Sequence, residues 1–257
     1  MQHPVSIEFE SGPTATALYP QANTDLNTAL ESLGLKSPRP VLVVVGGASL
    51  LSDEARERLL SLFLDVLAPL AESLNACVVD GGTDAGVMQM MGRARQQIGA
   101  TFPLIGVTSV GLATLPNQAP PAKDACPLEP HHTHFRLIPG SHWGDESPWM
   151  AAISSILSGS SGAVTVLING GQITWVDVAE SVAVKQPVVI VAGSGRTADI
   201  LAAALNGKIA DDRAPALVES GLLQAVDLED SEKLSRVLKQ ILTQRSPLAR
   251  KQKGSRS

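Results

Sequence analysis

Short apolar runs rich in valine, leucine and isoleucine recur along the chain, and a glycine turn and a helical pattern follow most of them. Runs that lack strict alternation of apolar and polar residues are typical of strands buried on both faces of a parallel sheet. Such strands are predicted at residues 41–45, 77–80, 104–109, 134–138, 163–168 and 187–191. A weaker strand is predicted at residues 5–9.

Helical patterns fill the intervals between these strands. They predict helices over residues 25–33, 52–74, 87–96 and 147–157, and two more that follow residues 171 and 197 and end at residues 185 and 205. Ser52 is the expected N-cap of the second helix. Strand, glycine turn and helix, repeated in this order, predict right-handed crossovers. The expected fold is therefore α/β: a Rossmann-like, doubly wound, mainly parallel sheet with helices on both faces.

These elements divide the chain into three expected parts. Residues 1–37 are an N-terminal extension packed on the core, residues 38–243 are the Rossmann-like domain, and residues 244–257 are a basic, disordered tail. The proline-rich connection at residues 111–130 is longer than an ordinary loop. We expect it to be a functional loop, a lid or a mobile segment.

The charge distribution argues against a nucleic-acid partner. The formal net charge is -5, but residues 244–257 hold five cations and no acid, so the rest of the chain carries -10. Binding to nucleic-acid phosphates needs clustered cations. The N-terminus lacks a signal-peptide pattern, and no stretch approaches the roughly 18 consecutive apolar residues of a membrane span. We expect a cytoplasmic protein without a membrane or nucleic-acid partner.

Glycine turns follow several of the predicted strands. Because the carboxyl ends of parallel strands share one edge of the sheet, these turns are expected to meet there, in front of helix N-termini. Backbone N–H groups at a helix start bind anions, and glycine lets a phosphate approach closely. The glycines concerned are Gly46, Gly47, Gly81, Gly82, Gly86, Gly170, Gly171, Gly193 and Gly195. The P-loop and G-x-G-x-x-G patterns are absent, which argues against an ordinary NTPase or NAD-dependent dehydrogenase.

Four separated segments resemble one protein family. They are residues 81–88 (GGTDAGVM), 129–135 (EPHHTHF), 169–173 (NGGQI) and 187–200 (PVVIVAGSGRTADI). They are similar to the LSDAT branch of the SLOG superfamily, which also supplies the amino-terminal domain of TRPM-type cation channels. The resemblance covers roughly residues 38–206. It implies a Rossmann-like fold and a nucleotide-related ligand, with ADP-ribose-like molecules as the best-known class.

Polar residues in and near these turns are candidates for ligand contacts. Arg196 follows Gly195 at the expected start of a helix, where its guanidinium can bind a diphosphate or instead pair with Asp199. Asp84 either accepts a hydrogen bond from a ribose hydroxyl or bonds the turn amides. The other candidate polar contacts are Thr83, His134, Thr174 and Ser194.

The hydrolytic branch of the superfamily, the cytokinin-activating phosphoribohydrolases, carries the pattern P-G-G-x-G-T-x-x-E. The corresponding run at residues 169–177 (NGGQITWVD) keeps two glycines and Thr174, but Ile173 replaces a glycine and Asp177 replaces the glutamate. If the chain is a hydrolase, Asp177 and Arg136 are the candidate catalytic residues. Otherwise Arg136 is either a ligand contact or a solvated strand residue.

A histidine-rich segment raises the question of a metal site. The residues concerned are His131, His132, His134 and His142 with Asp145 and Glu146. They lack the helical spacing of two histidines four residues apart, and the flanking prolines favour a loop, so neither a metal nor a cofactor is predicted. The tryptophans Trp143, Trp149 and Trp175 lie near the same segments, where they either stack on a base or pack in the core.

The leading hypothesis from the sequence is a protein that binds or senses a small nucleotide-derived ligand, ADP-ribose-like or NAD-related. The alternative is a hydrolase of a nucleotide N-glycosidic or phosphoester bond. A third hypothesis is an interaction protein with a vestigial pocket. The expected partner is a small-molecule nucleotide derivative, and self-association into a homo-oligomer is left open.

Overall fold

The computed structural model of the chain describes residues 3–20, 25–47 and 53–244, and only the backbone of residues 53–55. The strands are β1 (Val5–Glu8), β2 (Thr14–Leu18), β3 (Val41–Gly46), β4 (Cys77–Asp80), β5 (Leu104–Ser109), β6 (Ala113–Thr114), β7 (Cys126–Pro127), β8 (His134–Ile138), β9 (Ala163–Ile168), β10 (Val188–Ala192) and β11 (Leu223–Asp227). The helices are α1 (Leu26–Ser32), α2 (Asp53–Leu62), α3 (Ala68–Ser73), α4 (Gly86–Gln97), α5 (Ser147–Ser158), α6 (Gln172–Ala183), α7 (Arg196–Leu205), α8 (Ala214–Glu219) and α9 (Ser231–Thr243). The predicted cap Ser52 and the predicted tail after Gln244 lie outside the described residues.

Nine of the strands form one sheet in the order β1-β2-β8-β5-β4-β3-β9-β10-β11. The hairpin of β1 and β2 is antiparallel, and the other strand pairs of the sheet are parallel. Val41 of β3 is in register with Cys77 of β4 and with Ala163 of β9, so β3 lies at the centre. The predicted Rossmann-like α/β fold is confirmed.

Helices cover both faces of this sheet, which is why its central strands are largely apolar. Leu42 and Val44 of β3 pack against α2, α3, α4 and α9 on one face. Val41, Val43 and Val45 pack against α1, α5, α6, α7 and α8 on the other. In residues 3–20, 25–47 and 53–244, no helix is long and apolar enough to cross a membrane.

The direction of winding reverses at β3. From β3 the chain moves outward through β4, β5 and β8, and then returns to place β9 on the opposite side of β3. The helices that follow β3 and β9 therefore pack on opposite faces of the sheet. In doubly wound folds a crevice opens at this point, outside the carboxyl ends of the strands.

The structure differs from the sequence prediction in several elements. The predicted helix over residues 52–74 is interrupted by a π-helical turn at Phe63–Leu67. Pro69 near the start of α3 has no N–H to donate to the preceding turn, which accounts for the interruption. The strands β2 and β11 were not predicted. The connection at residues 111–130 is partly ordered, because β6 pairs with β7 and Leu128 forms a bridge with Thr83.

Candidate functional site

A crevice of about 260 Å³ lies where the strand order reverses, at the carboxyl edge of the sheet. The end of β3, the loop after β4, the start of α6 and the segment before α5 form its walls. The lining residues are Val44, Val45, Gly46, Gly47, Gly81, Thr83, Met88, Trp143, Glu146, Met150, Gly171, Gln172, Ile173, Thr174, Asp177 and Arg196.

Each of the predicted glycine turns contributes to this crevice. The predicted site residues that line it are Gly46, Gly47, Gly81, Thr83, Gly171, Thr174, Asp177 and Arg196. The predicted residues that shape the same turns without lining it are Gly82, Asp84, Gly170, Gly193, Ser194 and Gly195. Gly86 lines a neighbouring surface depression together with Gly46 and Gly47. The Asp84 carboxylate accepts a hydrogen bond from the Gln89 side chain at 2.8 Å.

Glycine is required at the end of β3 because the backbone of β9 comes very close to it. Gly46 has a φ of +135°, and a Cβ at this position would overlap the backbone of Ile168. The next residue, Gly47, donates its N–H to the Ile168 carbonyl oxygen at 3.1 Å. A side chain at position 46 would therefore push β3 and β9 apart at the floor of the crevice.

Hydrogen bonds join the loop after β9 to the loop after β10. Asn169 donates its backbone N–H to the Ser194 hydroxyl at 2.8 Å and its side-chain amide to the Ser194 carbonyl at 2.9 Å. The Thr197 hydroxyl donates to the Gly171 carbonyl at 3.1 Å. These bonds fix the start of α7 beside the start of α6, which gives Ser194 a structural role behind the crevice wall.

Arg196 is the first residue of α7 and reaches into the crevice from an exposed position. Its φ of +50° is unusual for a residue with a side chain, and Gly195 before it has a φ of +102°. The Arg196 guanidinium lies beside Gly171, where a Cβ would stand 3.3 Å from its Nη2 atom. The turn therefore brings a cation next to the N–H groups that begin α6.

Two carboxyl groups, those of Asp177 and Glu146, also line the crevice. Burial raises the pKa of Asp177 to about 7, although its Oδ1 atom accepts a hydrogen bond of 2.6 Å from the Ser147 hydroxyl. Burial also raises the pKa of Glu146, whose Oε2 atom accepts from the Gly144 N–H at 3.0 Å. The negative charge of Glu146 further disfavours ionisation of Asp177. At neutral pH this pair can therefore hold or release a proton.

A chain of buried polar groups holds α6, and with it Asp177, against β9. The Ser181 hydroxyl donates to the Asp177 carbonyl at 2.9 Å and lies 2.8 Å from the Thr165 hydroxyl. Gln186 donates to Thr165 at 2.7 Å and accepts from Ser154 at 2.6 Å. Buried networks whose members are hydrogen-bonded fix one geometry, so Asp177 has little freedom to move.

His134 and Arg136, which were predicted as ligand or catalytic residues, do not reach the crevice. His134 is the first residue of β8, at the amino edge of the sheet, whereas the crevice is at the carboxyl edge. Arg136 is neither solvated nor at the crevice, because helices cover its face of β8. Its guanidinium lies 5.6 Å from the Trp149 ring centroid and donates to the Tyr19 carbonyl at 2.9 Å. Neither residue lines the crevice, and a ligand or catalytic role for either stays a prediction.

The histidines of the histidine-rich segment lie in different surroundings. His132 is fully buried, and its ring nitrogens lie 2.8 Å from Asp80 Oδ1 and 2.8 Å from Glu129 Oε2. His131 Nδ1 is 2.7 Å from the other oxygen of Glu129. His142 is exposed and 3.9 Å from Asp145. In the part of the chain that the structure describes, no group of three or more His, Cys, Asp or Glu side chains is placed to hold a metal ion.

The tryptophans divide between the crevice and the core. Trp143 lines the crevice, where its ring is available to a ligand. Trp175 is buried, and the Arg213 guanidinium lies 4.2 Å from its ring centroid. Trp149 packs with Arg136 as described above. Only Trp143 keeps the stacking role that the sequence left open for all of them.

Several lining residues were not predicted as ligand contacts. They are Val44, Val45, Met88, Met150, Gln172 and Ile173, and also Glu146, which was considered only as a metal ligand. Gln172 and Ile173 directly follow a predicted glycine turn. They would have been predicted if each candidate site had included the first residues of the helix that follows its glycines. Met88 and Met150 look like ordinary core residues of a helix, and no sequence signal separates them from the core.

Comparisons with known proteins were made on the sequence and on the fold. A family model described as SLOG in TRPM, prokaryote, matches residues 39–236. The transient receptor potential cation channel subfamily M member-like 2 of Nematostella vectensis is 28% identical over 225 residues, which are 73% of this chain and 14% of that protein. Subfamily M member 2 of Rattus norvegicus is 27% identical over 204 residues, which are 66% of this chain and 13% of that protein. The chain thus spans about one seventh of the length of these relatives.

A solved structure shows the same fold. The X-ray structure of TM1055, a structural genomics target, superposes with a TM-score of 0.51 at 19% sequence identity. The superposition covers 79% of this chain and 99% of TM1055. At this level of identity the likeness concerns the fold alone.

Replacing Asp177 with asparagine is expected to stabilise the protein more as the pH rises. The pKa of Asp177 is raised from 3.8 to about 7 in the folded state, so the folded protein holds a proton that the unfolded chain has lost. The stability that this proton contributes is complete below about pH 4 and is lost as the pH rises through 7. The advantage of Asp177→Asn over wild type should therefore grow by about 2 kcal/mol between pH 5 and pH 8.

Urea denaturation of both proteins at the two pH values measures this difference. Asp212→Asn, which changes an exposed acid outside the crevice, is the matched control and should show no such growth. An Asp177→Asn advantage that is the same at pH 5 and pH 8 would show that Asp177 is ionised throughout.

Proposed function

The chain belongs to the family described as SLOG in TRPM, prokaryote, and from this premise we propose that its crevice binds a small nucleotide-derived ligand, ADP-ribose-like or NAD-related. The observation that carries the proposal is the meeting of the glycine turns and Arg196 at one point of the sheet edge. Helix starts, glycine and a guanidinium together are suited to phosphate groups.

The start of α6 and the Arg196 side chain lie together on the crevice wall. Gly171 is the N-cap of α6, and the Arg196 guanidinium lies beside it. A helix start and a guanidinium both bind anions, so this part of the wall fits a diphosphate. Asp177 and Glu146 also line the crevice, and their oxygens can accept hydrogen bonds from ribose hydroxyls or a base amine.

The apolar part of the lining supports the same ligand class. Met88, Met150 and Trp143 supply flat and adaptable apolar surface in the lining. Ligand pockets usually combine such surface with a few converging polar groups. A purely anionic ligand such as inorganic phosphate would leave this surface unused, whereas an adenine or nicotinamide ring would cover it.

The curated relatives are cation channels by name, and they share only the matched segment with this chain. We therefore carry over ligand binding by this segment and not channel activity. Sensing, in which the bound ligand changes the affinity for another partner, would require a second binding event. Binding alone is what the geometry of the crevice supports directly.

ADP-ribose or a related adenine or pyridine nucleotide is expected to raise the melting temperature of the protein. A ligand that binds only the native state at about 100 times its Kd adds about 2.7 kcal/mol, which is about 5 to 10 °C for a chain of this size. Differential scanning fluorimetry with a panel of such nucleotides at millimolar concentration measures the shift. Absence of any shift across the panel would contradict the proposal.

Arg196→Ala is expected to weaken nucleotide binding by about 1.5 to 3 kcal/mol, the usual scale for a hydrogen bond to a charged group. Arg196→Lys should recover only part of the loss, because an ammonium keeps the charge but not the planar fork. Isothermal titration calorimetry measures both. Arg58→Ala, an exposed arginine paired with Glu229 outside the crevice, is the control and should bind like wild type. Equal affinity of wild type and Arg196→Ala would place the phosphate elsewhere.

A second candidate function is hydrolysis of a nucleotide N-glycosidic bond, and the carboxyl pair favours it. An acid with a pKa of about 7 can protonate a leaving base at neutral pH, and Asp177 has such a pKa. Chromatography of incubated nucleotides would detect the released base. If hydrolysis occurs, Asp177→Asn should slow it about 100-fold or more while remaining folded. Product formation at the same rate in both proteins would exclude Asp177 as the acid.

A further inference from the structure

The structure contains a network of buried ionisable groups behind the crevice that ligand binding does not use directly. Asp80, His132 and Glu129 form a line in which the imidazole bridges the two carboxylates at 2.8 Å on either side. Asp80 is the last residue of β4, and Glu129 and His132 lie in the segment before β8. All three are essentially inaccessible to solvent.

The imidazole of His132 is the charged centre of this network. Burial by itself lowers the pKa of His132, but the Asp80 carboxylate and the hydrogen bonds with Asp80 and Glu129 raise it to about 9. Both ring nitrogens therefore carry protons at neutral pH and donate to the two carboxylates. Burial by itself raises the pKa of Glu129. The hydrogen bonds and the charge of His132 and His131 outweigh this effect and lower the pKa of Glu129 overall. His132 and Glu129 are therefore both ionised at neutral pH.

The same residues hold the backbone of the loop at residues 81–84. Asp80 Oδ1 accepts the Gly82 N–H at 2.8 Å, and Glu129 donates its backbone N–H to the Gly82 carbonyl at 3.0 Å. Farther along, Asp84 donates its N–H to the Pro127 carbonyl at 2.7 Å. Gly81 and Thr83 of this loop line the crevice. The network therefore ends on the wall that a ligand would contact.

Two glycines make room for this arrangement. A Cβ at Gly92 of α4 would overlap the Glu129 carboxylate, so the helix can pack over the network only with glycine there. Gly82 has a φ of +70°, and its Cβ would lie 2.7 Å from the Cα of Gly106. The second oxygen of Asp80 is buried without a hydrogen-bond partner. Well-packed apolar residues of similar volume are often as stable as buried ions, so stability alone does not account for the network.

We propose that Asp80 and His132 are positioning residues for the ligand of the crevice: their network with Glu129 holds the loop at residues 81–84 in the conformation that binds it. This inference rests on the proposed function. The long connection at residues 111–130 contributes to holding the loop, because β7 and the residues that follow β7 pair with the backbone of residues 82–84.

The test compares Asp80→Ala with Asp80→Asn. Asparagine keeps an oxygen that accepts from Gly82 and His132, whereas alanine removes it. ADP-ribose titrated calorimetrically should bind Asp80→Ala about tenfold or more weakly than wild type, and Asp80→Asn within about threefold of wild type. Hydrogen exchange of residues 81–84 in the ligand-free protein should be fast in Asp80→Ala and slow in Asp80→Asn.

Glu72→Ala is the matched control. The Glu72 carboxylate also holds loop backbone, accepting the N–H groups of Thr101 and Phe102 at 2.7 and 3.0 Å, but at the amino edge of the sheet. Glu72→Ala should lower the melting temperature and leave the affinity for ADP-ribose unchanged. If Asp80→Ala does not fold, His132→Gln replaces it, because the single NH2 nitrogen of glutamine cannot reach two carboxylates that lie on either side of the imidazole, and the same tenfold loss is expected.

The outcomes separate the two proposals. Unchanged affinity in folded Asp80→Ala or His132→Gln, with slow exchange at residues 81–84, would overturn the positioning role. If wild type binds no nucleotide, the proposed function fails, while the exchange measurement still shows whether the network holds the loop.

Discussion

At Gly46 the backbone of β3 approaches that of β9 so closely that no side chain fits between them. The two strands are neighbours, but the helices that follow them pack on opposite faces of the sheet. The crevice opens just beyond this contact. Gly171, Thr174 and Arg196 take their places because β9 and β10 end at the same edge. The site follows from the strand order, because its reversal at β3 sends the helices after β3 and β9 to opposite faces of the sheet.

The second feature that shapes the site is the burial of ionisable side chains. Asp177 and Glu146 have raised pKa values because burial disfavours their ionised forms. His132 is instead held ionised between two carboxylates. Buried charges reduce stability unless they are well paired, so their concentration behind one edge of the sheet indicates that function selects the arrangement. The acid pair faces the crevice, and the ion network supports its wall.

The sequence predicted the central strands well because β-branched runs buried on both faces are a local signal. It missed β2 and β11, which are short, lie toward the edges of the sheet and contain alanine, threonine or polar residues. The glycine turns were found because a turn is also local. His134 does not line the crevice, and its position could have been anticipated, since only the carboxyl end of a strand reaches such a crevice. The partners of Arg136 and His132 depend on register and long-range packing, which no local pattern contains.

The most direct test of the account is a backbone-amide NMR titration of the protein with ADP-ribose. Saturable shifts are expected to concentrate at Gly46, Gly47, Gly81, Gly171 and Arg196, which line the crevice. The amides of residues 99–102, which precede β5 at the amino edge of the sheet, should stay unchanged. Shifts confined to another surface, or no shifts at millimolar ligand, would contradict the claim that the strand reversal at β3 creates a nucleotide site.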